Sequence, residues 1–257
     1  MTPWSIGRTD RTTKPRESGL THVIDTGVPI EHLRGQLDVI GDYADIWKFG
    51  FGTSYLDPTV DKKVQVLEDA GVSACVGGTL LEAAWLESKV TACLDWARDM
   101  GFSCIEVSDG AARMGPEEKR SLVELAATDF LVLSEVGSKD PAELMSPPEW
   151  AREMKRDLEV GATWLIAEGR ESGTVGLYTP DGAVRWAVVE SIVAAVPLEV
   201  IVFEAPLAHQ QVAFIRAYGS NVSLGNIGPQ DVLALEAQRR GLRADTLGMP
   251  TGPGRTQ

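Results

Sequence analysis

Histidine and cysteine are scarce in this 257-residue chain, three of each, and neither is spaced as metal ligands are. His22, His32 and His209 stand far apart, and Cys75, Cys93 and Cys104 form no paired motif, so neither a zinc centre nor a disulfide framework organises the chain. An odd number of thiols fits a reducing cytoplasm, the expected location. Ser54 and Ser134 have no nearby histidine to act as base, which speaks against a hydrolase triad. Positive charge is also short: 24 Lys and Arg against 37 Asp and Glu give a formal net charge of −13. A nucleic-acid or acidic-membrane partner needs a basic footprint and is not expected. No apolar run reaches the length of a membrane span. Residues 1–19 lack the apolar core of a secretory signal; their basic, Ser/Thr-containing makeup would suit a transit peptide, against which Asp10 and Glu17 count.

What the chain does have is one event repeated eight times. A short apolar run ends in charged or Gly-rich residues, and a helical pattern follows. The runs are Thr21 to Asp25, Ala44 to Gly50, Ser73 to Gly78, Cys104 to Gly110, Phe130 to Gly137, Thr163 to Gly169, Val200 to Pro206 and Asn221 to Ile227. Pro58, Pro116, Pro147 and Pro229 suit first helical turns, and Gly71, Gly101, Gly161, Gly219 and Gly241 suit helix ends. An apolar stripe over Glu82 to Met100, interrupted by Lys89, predicts one helix packed on a sheet. Strand and helix alternating in eight units predict a parallel sheet, closed as a (β/α)8 TIM barrel in preference to an open doubly wound sheet. Residues 20–247 form the expected barrel, flanked by flexible tails at 1–19 and 248–257.

In such a barrel the C-terminal strand ends share one mouth, where active sites are built. Charges at those ends, Asp25, Lys48, Asp109, Glu135, Glu168 with Arg170, and Glu204, therefore point to an enzyme. Lys48 lies between aromatics in Trp47-Lys48-Phe49, where burial without a partner would be costly. Gly77, Gly78 and Thr79 precede a helix and can cradle an anion with backbone donors, or serve turn geometry alone. Asp109 and Glu135 are hard oxygen ligands suited to Mg2+, or else salt-bridge and capping groups; Lys139 follows Glu135 four residues on. In Glu168-Gly169-Arg170-Glu171-Ser172-Gly173 the arginine can grip a phosphate or carboxylate bidentately. Gly225, Asn226 and Gly228, at the end of the eighth run, suit backbone phosphate binding or a tight turn before Pro229.

Taken in order, Lys48-Phe49-Gly50 with Gly52-Thr53-Ser54, Gly77-Gly78-Thr79-Leu80, Ser108-Asp109-Gly110, Glu135-Val136-Gly137, Glu168 to Gly173, Phe203-Glu204-Ala205-Pro206 and Leu224-Gly225-Asn226-Ile227 resemble the phosphosulfolactate synthase family. The resemblance implies Mg2+-dependent addition of sulfite to phosphoenolpyruvate, giving (2R)-phospho-3-sulfolactate, the first step of one route to coenzyme M, and a homo-oligomeric assembly. It implies Mg2+ on some of Asp109, Glu135, Glu168 and Glu204. Arg170, Ser172 and the 225–228 backbone would bind substrate, with Gly77, Gly78 and Thr79 as a second cradle. Lys48 or Lys139 would offset charge or deliver a proton.

Three segments depart from the family pattern. Ser138 replaces the first of two basic residues, Ala208 and His209 stand where a lysine is usual, and Ser223 stands where asparagine is common. Fewer cations at the mouth leave open a different nucleophile on the same phosphorylated three-carbon acid, or a non-catalytic stress-protective relative.

Overall fold

The computed structural model describes residues 6–7, 10–138 and 144–249. Eight strands, β1 (Thr21–Asp25), β2 (Ile46–Phe49), β3 (Ser73–Val76), β4 (Cys104–Val107), β5 (Leu131–Val136), β6 (Trp164–Ala167), β7 (Ile201–Glu204) and β8 (Ser223–Ile227), close in sequence order into a barrel. Every pairing is parallel, including β1 with β8, so the (β/α)8 fold expected from the alternation is the one observed.

Around the barrel lie α1 (Ile30–Ile40), α2 (Thr53–Leu56), α3 (Val60–Asp69), α4 (Gly78–Leu86), α5 (Val90–Asp99), α6 (Pro116–Ala126), α7 (Pro147–Glu159), α8 (Trp186–Ala195), α9 (Ala208–Tyr218) and α10 (Val232–Arg239). Local chemistry places their ends. Ser146 opens α7 with its backbone N–H donating to Glu149 (2.7 Å), ahead of Pro147 at the first position. Gly71, Gly101, Gly161, Gly219 and Gly241 all adopt positive φ just past a helix. The single helix expected over Glu82 to Met100 is instead two, because Ser88 turns left-handed (φ 56°) and breaks the run next to Lys89, the interruption in the stripe.

Successive strand residues alternate between two cores. Val23, Trp47, Phe49, Ile105, Val132 and Phe203 face the helices. Ile46, Cys75, Cys104, Leu133, Ile166 and Val202 fill the barrel interior with Leu20. This parity positions the site: two residues beyond Ile46, Cys104, Leu133, Ile166 and Val202 come Lys48, Glu106, Glu135, Glu168 and Glu204, all directed to the inner mouth.

The opposite end is sealed by polar groups. Arg239 of α10 donates to the carbonyls of Ser220 (2.7 Å), Val222 (2.6 Å) and Leu20 (3.1 Å). Residues 10–19, expected to belong to a loose tail, are tied onto this floor by Arg11 to Glu236 (3.0 Å) and Arg16 to Asp45 (2.9 Å). Residues 1–5, 8–9 and 250–257 of the expected tails lie outside the described residues.

Candidate active site

A cavity of about 200 Å3 opens at the C-terminal mouth of the barrel, walled by Lys48, Glu106, Glu135, Glu168, Arg170, Glu171 and Glu204, with Gly78, Thr79, Ala111 and Asn226 around them. A larger groove, about 850 Å3, runs along α9 by Trp186 and Arg216 and shares no residue with the strand-end cavity. The charged residues make the smaller cavity the candidate site.

Lys48 is its centre. The Nζ atom donates to Glu106 Oε2 (2.8 Å) and to Glu204 Oε1 (3.4 Å), and all three side chains are at most 5% exposed. Burial alone would push the lysine's pKa down, but the charges of Glu106, Glu204 and Glu135 overcome it and raise the pKa above the usual lysine range. The remaining oxygens of the two carboxylates are fixed by backbone: Gly78 N–H donates to Glu106 Oε1 (3.0 Å), and Gly169 N–H to Glu204 Oε2 (2.9 Å). Each carboxylate is thus oriented by the loop after the preceding strand. Glu106, Glu135 and Glu204 converge so that one oxygen of each lies within 4.8 Å of the others.

The loop from 168 to 185 supplies the far wall. Tyr178 Oη donates to the Glu204 carbonyl (2.5 Å), and Gln210 Nε2 of α9 donates to the Gly173 carbonyl (2.8 Å). Arg170 itself adopts a left-handed backbone (φ 53°), with its N–H donating to Glu168 Oε1 (2.6 Å). Asn226 is also left-handed (φ 54°), and its buried Oδ1 has no hydrogen-bond partner among the described residues. Such strain and an unmet polar atom at a cavity wall mark groups held ready for a ligand.

Several expected site residues lie elsewhere. Asp25 faces outward, accepting from Trp47 Nε1 (3.1 Å) and pairing with Lys63 of α3 (3.7 Å). Asp109 follows the end of β4 into a separate cavity of about 220 Å3 lined by Lys119 and Arg152; burial raises its pKa against the pull of Lys119. Gly77 and Gly225 are needed for packing, since a Cβ would fall 2.5 Å from the Phe49 carbonyl oxygen at 77 and 3.0 Å from His22 Nδ1 at 225. Ser172 is exposed and bonded to Thr174 (2.9 Å), and Gly228 is not in the cavity wall. Lys139 lies outside the described residues. The residue that the strand-end reading missed is Glu106, which the two-residue step from Cys104 would have found.

Two supporting residues yield predictions. Glu82 of α4, 2% exposed, accepts N–H bonds from Ala111 (2.7 Å) and Ala112 (2.5 Å) and the Ser108 hydroxyl, locking the cavity wall at Ala111 to the helix that begins at Gly78. Glu82→Gln turns an amide group toward donors; it should cost about 1–3 kcal/mol, a fall in Tm of several degrees, and raise KM several-fold. Thermal unfolding and steady-state kinetics check this, and an unchanged KM would refute it.

His22 lies fully buried beneath the site, with neither ring nitrogen bonded among the described residues. Burial first, and then the charge of Lys48, lower its pKa well below the usual value, Glu135 opposing. The unfolded chain therefore binds a proton that the folded one does not. Stability is fully present above the unfolded pKa of about 6.5 and falls as pH drops toward the depressed folded value, by up to about 1.4 kcal/mol per pH unit. Denaturant titrations of metal-free protein at pH 7.5 and 5.5 should show this loss in the wild type and not in His22→Gln; parallel profiles would refute it.

The chain's likenesses agree with this geometry. The family model described as (2R)-phospho-3-sulfolactate synthase (ComA) matches residues 9–245. A phosphosulfolactate synthase of Methanothermobacter thermautotrophicus is 41% identical over 93% of this chain and 95% of the relative. Its counterpart in Bacillus subtilis is 38% identical over 96% of this chain and 99% of the relative. Solved barrels share the fold alone: a 3-hexulose-6-phosphate synthase from Salmonella typhimurium has a TM-score of 0.57 at 11% identity, covering 86% of this chain and 99% of that one. The YdjI aldolase of Escherichia coli K12 has a TM-score of 0.55 at 17% identity, covering 85% and 78%. With the resembling motifs on the strand ends of one closed barrel and full-length relatives well above 30% identity, this chain belongs to the phosphosulfolactate synthase family and is an enzyme of that type.

Proposed function

We propose that the barrel-mouth cavity takes phosphoenolpyruvate and sulfite and joins them, with Mg2+ bound, to give (2R)-phospho-3-sulfolactate. The observation that carries this reading is the composition of the cavity: two cations, Lys48 and Arg170, among the carboxylates of Glu106, Glu135, Glu168, Glu171 and Glu204. Its volume, about 200 Å3, suits a three-carbon acid, since pockets for larger ligands run from about 300 to 1,000 Å3.

The donor set fits the ion. Glu106, Glu135 and Glu204 offer oxygen only, at mutual distances that a hard divalent cation can span. Glu168 stands on the same wall, whereas Asp109 does not. When bound, Mg2+ supplies positive charge to the substrate oxygens on which negative charge builds.

The chain's own groups do the rest. Sulfur of sulfite bonds to the methylene carbon of phosphoenolpyruvate; the π electrons move onto the carboxylate, and the neighbouring carbon then takes a proton. Arg170, on the cavity wall, pairs with phosphate or carboxylate. Thr79 at the start of the nine-residue α4 and the Asn226 side chain add neutral contacts. Lys48 holds its proton firmly among three carboxylates, which suits offsetting the developing anion better than delivering a proton. Proton delivery then falls to another group, for which the sequence offers Lys139.

No helix among the described residues is long and apolar enough to cross a membrane, and Cys75, Cys93 and Cys104 are free thiols, which supports a reducing cytoplasm. Phosphorus NMR of the protein with phosphoenolpyruvate and Mg2+, with and without sulfite, tests the reading. A new phosphate-ester resonance that requires sulfite is expected. No turnover while phosphoenolpyruvate still raises Tm would put the nucleophile at fault, in line with the Ser138 departure.

A further inference from the structure

The three carboxylates suited to a divalent cation already hold one positive charge. Of the four oxygens on Glu106 and Glu204, Gly78 N–H and Gly169 N–H bind one each, and Lys48 Nζ holds the other two. The ammonium therefore occupies the one oxygen of each carboxylate that the backbone amides leave open to an entering ion. Both carboxylates are pinned by backbone amides and at most 4% exposed, so they cannot turn aside. Two cations sharing those buried oxygens repel strongly. Only the lysine, with a flexible four-carbon stem on the cavity wall, is free to move.

We infer that Lys48 is a stowed cation: a divalent ion entering the Glu106, Glu135 and Glu204 cluster displaces its ammonium, which turns into the cavity and meets the anionic substrate. The inference rests on the metal reading above and adds an order of events to it. Without the ion, the ammonium keeps the carboxylates from repelling one another and is withheld from substrate. With the ion, the same charge is delivered to the phosphoenolpyruvate subsite. Metal and substrate affinity are thereby coupled through one side chain, and the coupling is reciprocal.

The test uses Mn2+ as probe, its free concentration read by electron paramagnetic resonance, on the full-length wild type and Lys48→Met. Competition between ammonium and ion predicts that Mn2+ binds Lys48→Met at least ten-fold more tightly than wild type. A second readout follows the lysine itself: acetylation of Lys48 by an N-hydroxysuccinimide ester, quantified by peptide mass spectrometry, should rise at least five-fold when Mn2+ is added to the wild type. A mere change in local charge would tighten binding without moving the labelling. Mn2+ bound equally by both proteins, or labelling indifferent to Mn2+, overturns the displacement and leaves the metal reading standing. Mn2+ bound by neither protein overturns both.

Discussion

Lys48→Met is expected to lower kcat/KM by about 100- to 10,000-fold, the range associated with losing a charged group that acts in the transition state. The side chain is the cation bonded to both Glu106 and Glu204, and it is buried on the cavity wall. The loss should persist at saturating Mg2+ and phosphoenolpyruvate, because the charge is needed as the carboxylate of the substrate becomes a dianion and not only while substrate binds. Methionine keeps the unbranched stem out to Cε and lacks only the terminal ammonium, so the substitution isolates the charged group. Removing one partner of a buried ion pair costs about 3–5 kcal/mol, so folding must be controlled. Circular dichroism with Mg2+ present serves this purpose, since an ion on the carboxylates restores the missing positive charge. A folded Lys48→Met retaining more than a tenth of wild-type kcat/KM would refute the assignment.

The contrast between Lys48 and Asp109 shows how much of this site the sequence displayed. The eight repeats disclosed the barrel because continuous apolar strands, proline starts and glycine stops all marked the same units. Charge at the end of a run was a good guide where the last charged residue was also of inward parity, as at Lys48, Glu135 and Glu204. On β4 the two criteria part: Glu106 has the inward parity of Cys104, while Asp109 lies beyond the strand and turns toward Lys119. On β1, Asp25 shares the outward parity of Val23 and is matched to Lys63. Parity was the stronger signal, and it was legible.

Other features were not legible, because they depend on contacts between distant segments. Nothing local announces that Gly78 N–H orients a carboxylate 28 residues on, or that Gly169 N–H does the same for one 35 residues on. The left-handed turns at Arg170 and Ser88 involve residue types that usually avoid that region, and only the surrounding fold imposes them. Gly225, read as a phosphate glycine, is explained by His22, more than 200 positions earlier. Such residues acquire their roles from barrel closure, which brings β8 against β1.

Removal of divalent cations should abolish phosphoenolpyruvate binding, weakening it at least about 100-fold, the cost of roughly 2.7 kcal/mol in lost charge pairing. The argument is one of charge. Five carboxylates and two cations line the cavity, so its formal charge is −3 before any ligand enters. Lys48, one of the cations, is already engaged by Glu106 and Glu204. Phosphoenolpyruvate carries a phosphate and a carboxylate, and sulfite adds further negative charge. Among groups buried this deeply such repulsions are weakly screened by salt, and Arg170 cannot balance them alone. A protein that nevertheless binds these anions must import positive charge, and the Glu106, Glu135 and Glu204 cluster is where the described residues offer a place for it. Calorimetric titration of phosphoenolpyruvate into protein dialysed against EDTA should give no measurable heat of binding, and restoring Mg2+ or Mn2+ should recover it. Calcium, which prefers six to eight ligands at longer distances, should restore binding better than turnover. Undiminished affinity in the chelated protein would mean that Arg170 and the loop backbone carry the anion unaided, and the carboxylate cluster would then serve only to hold Lys48.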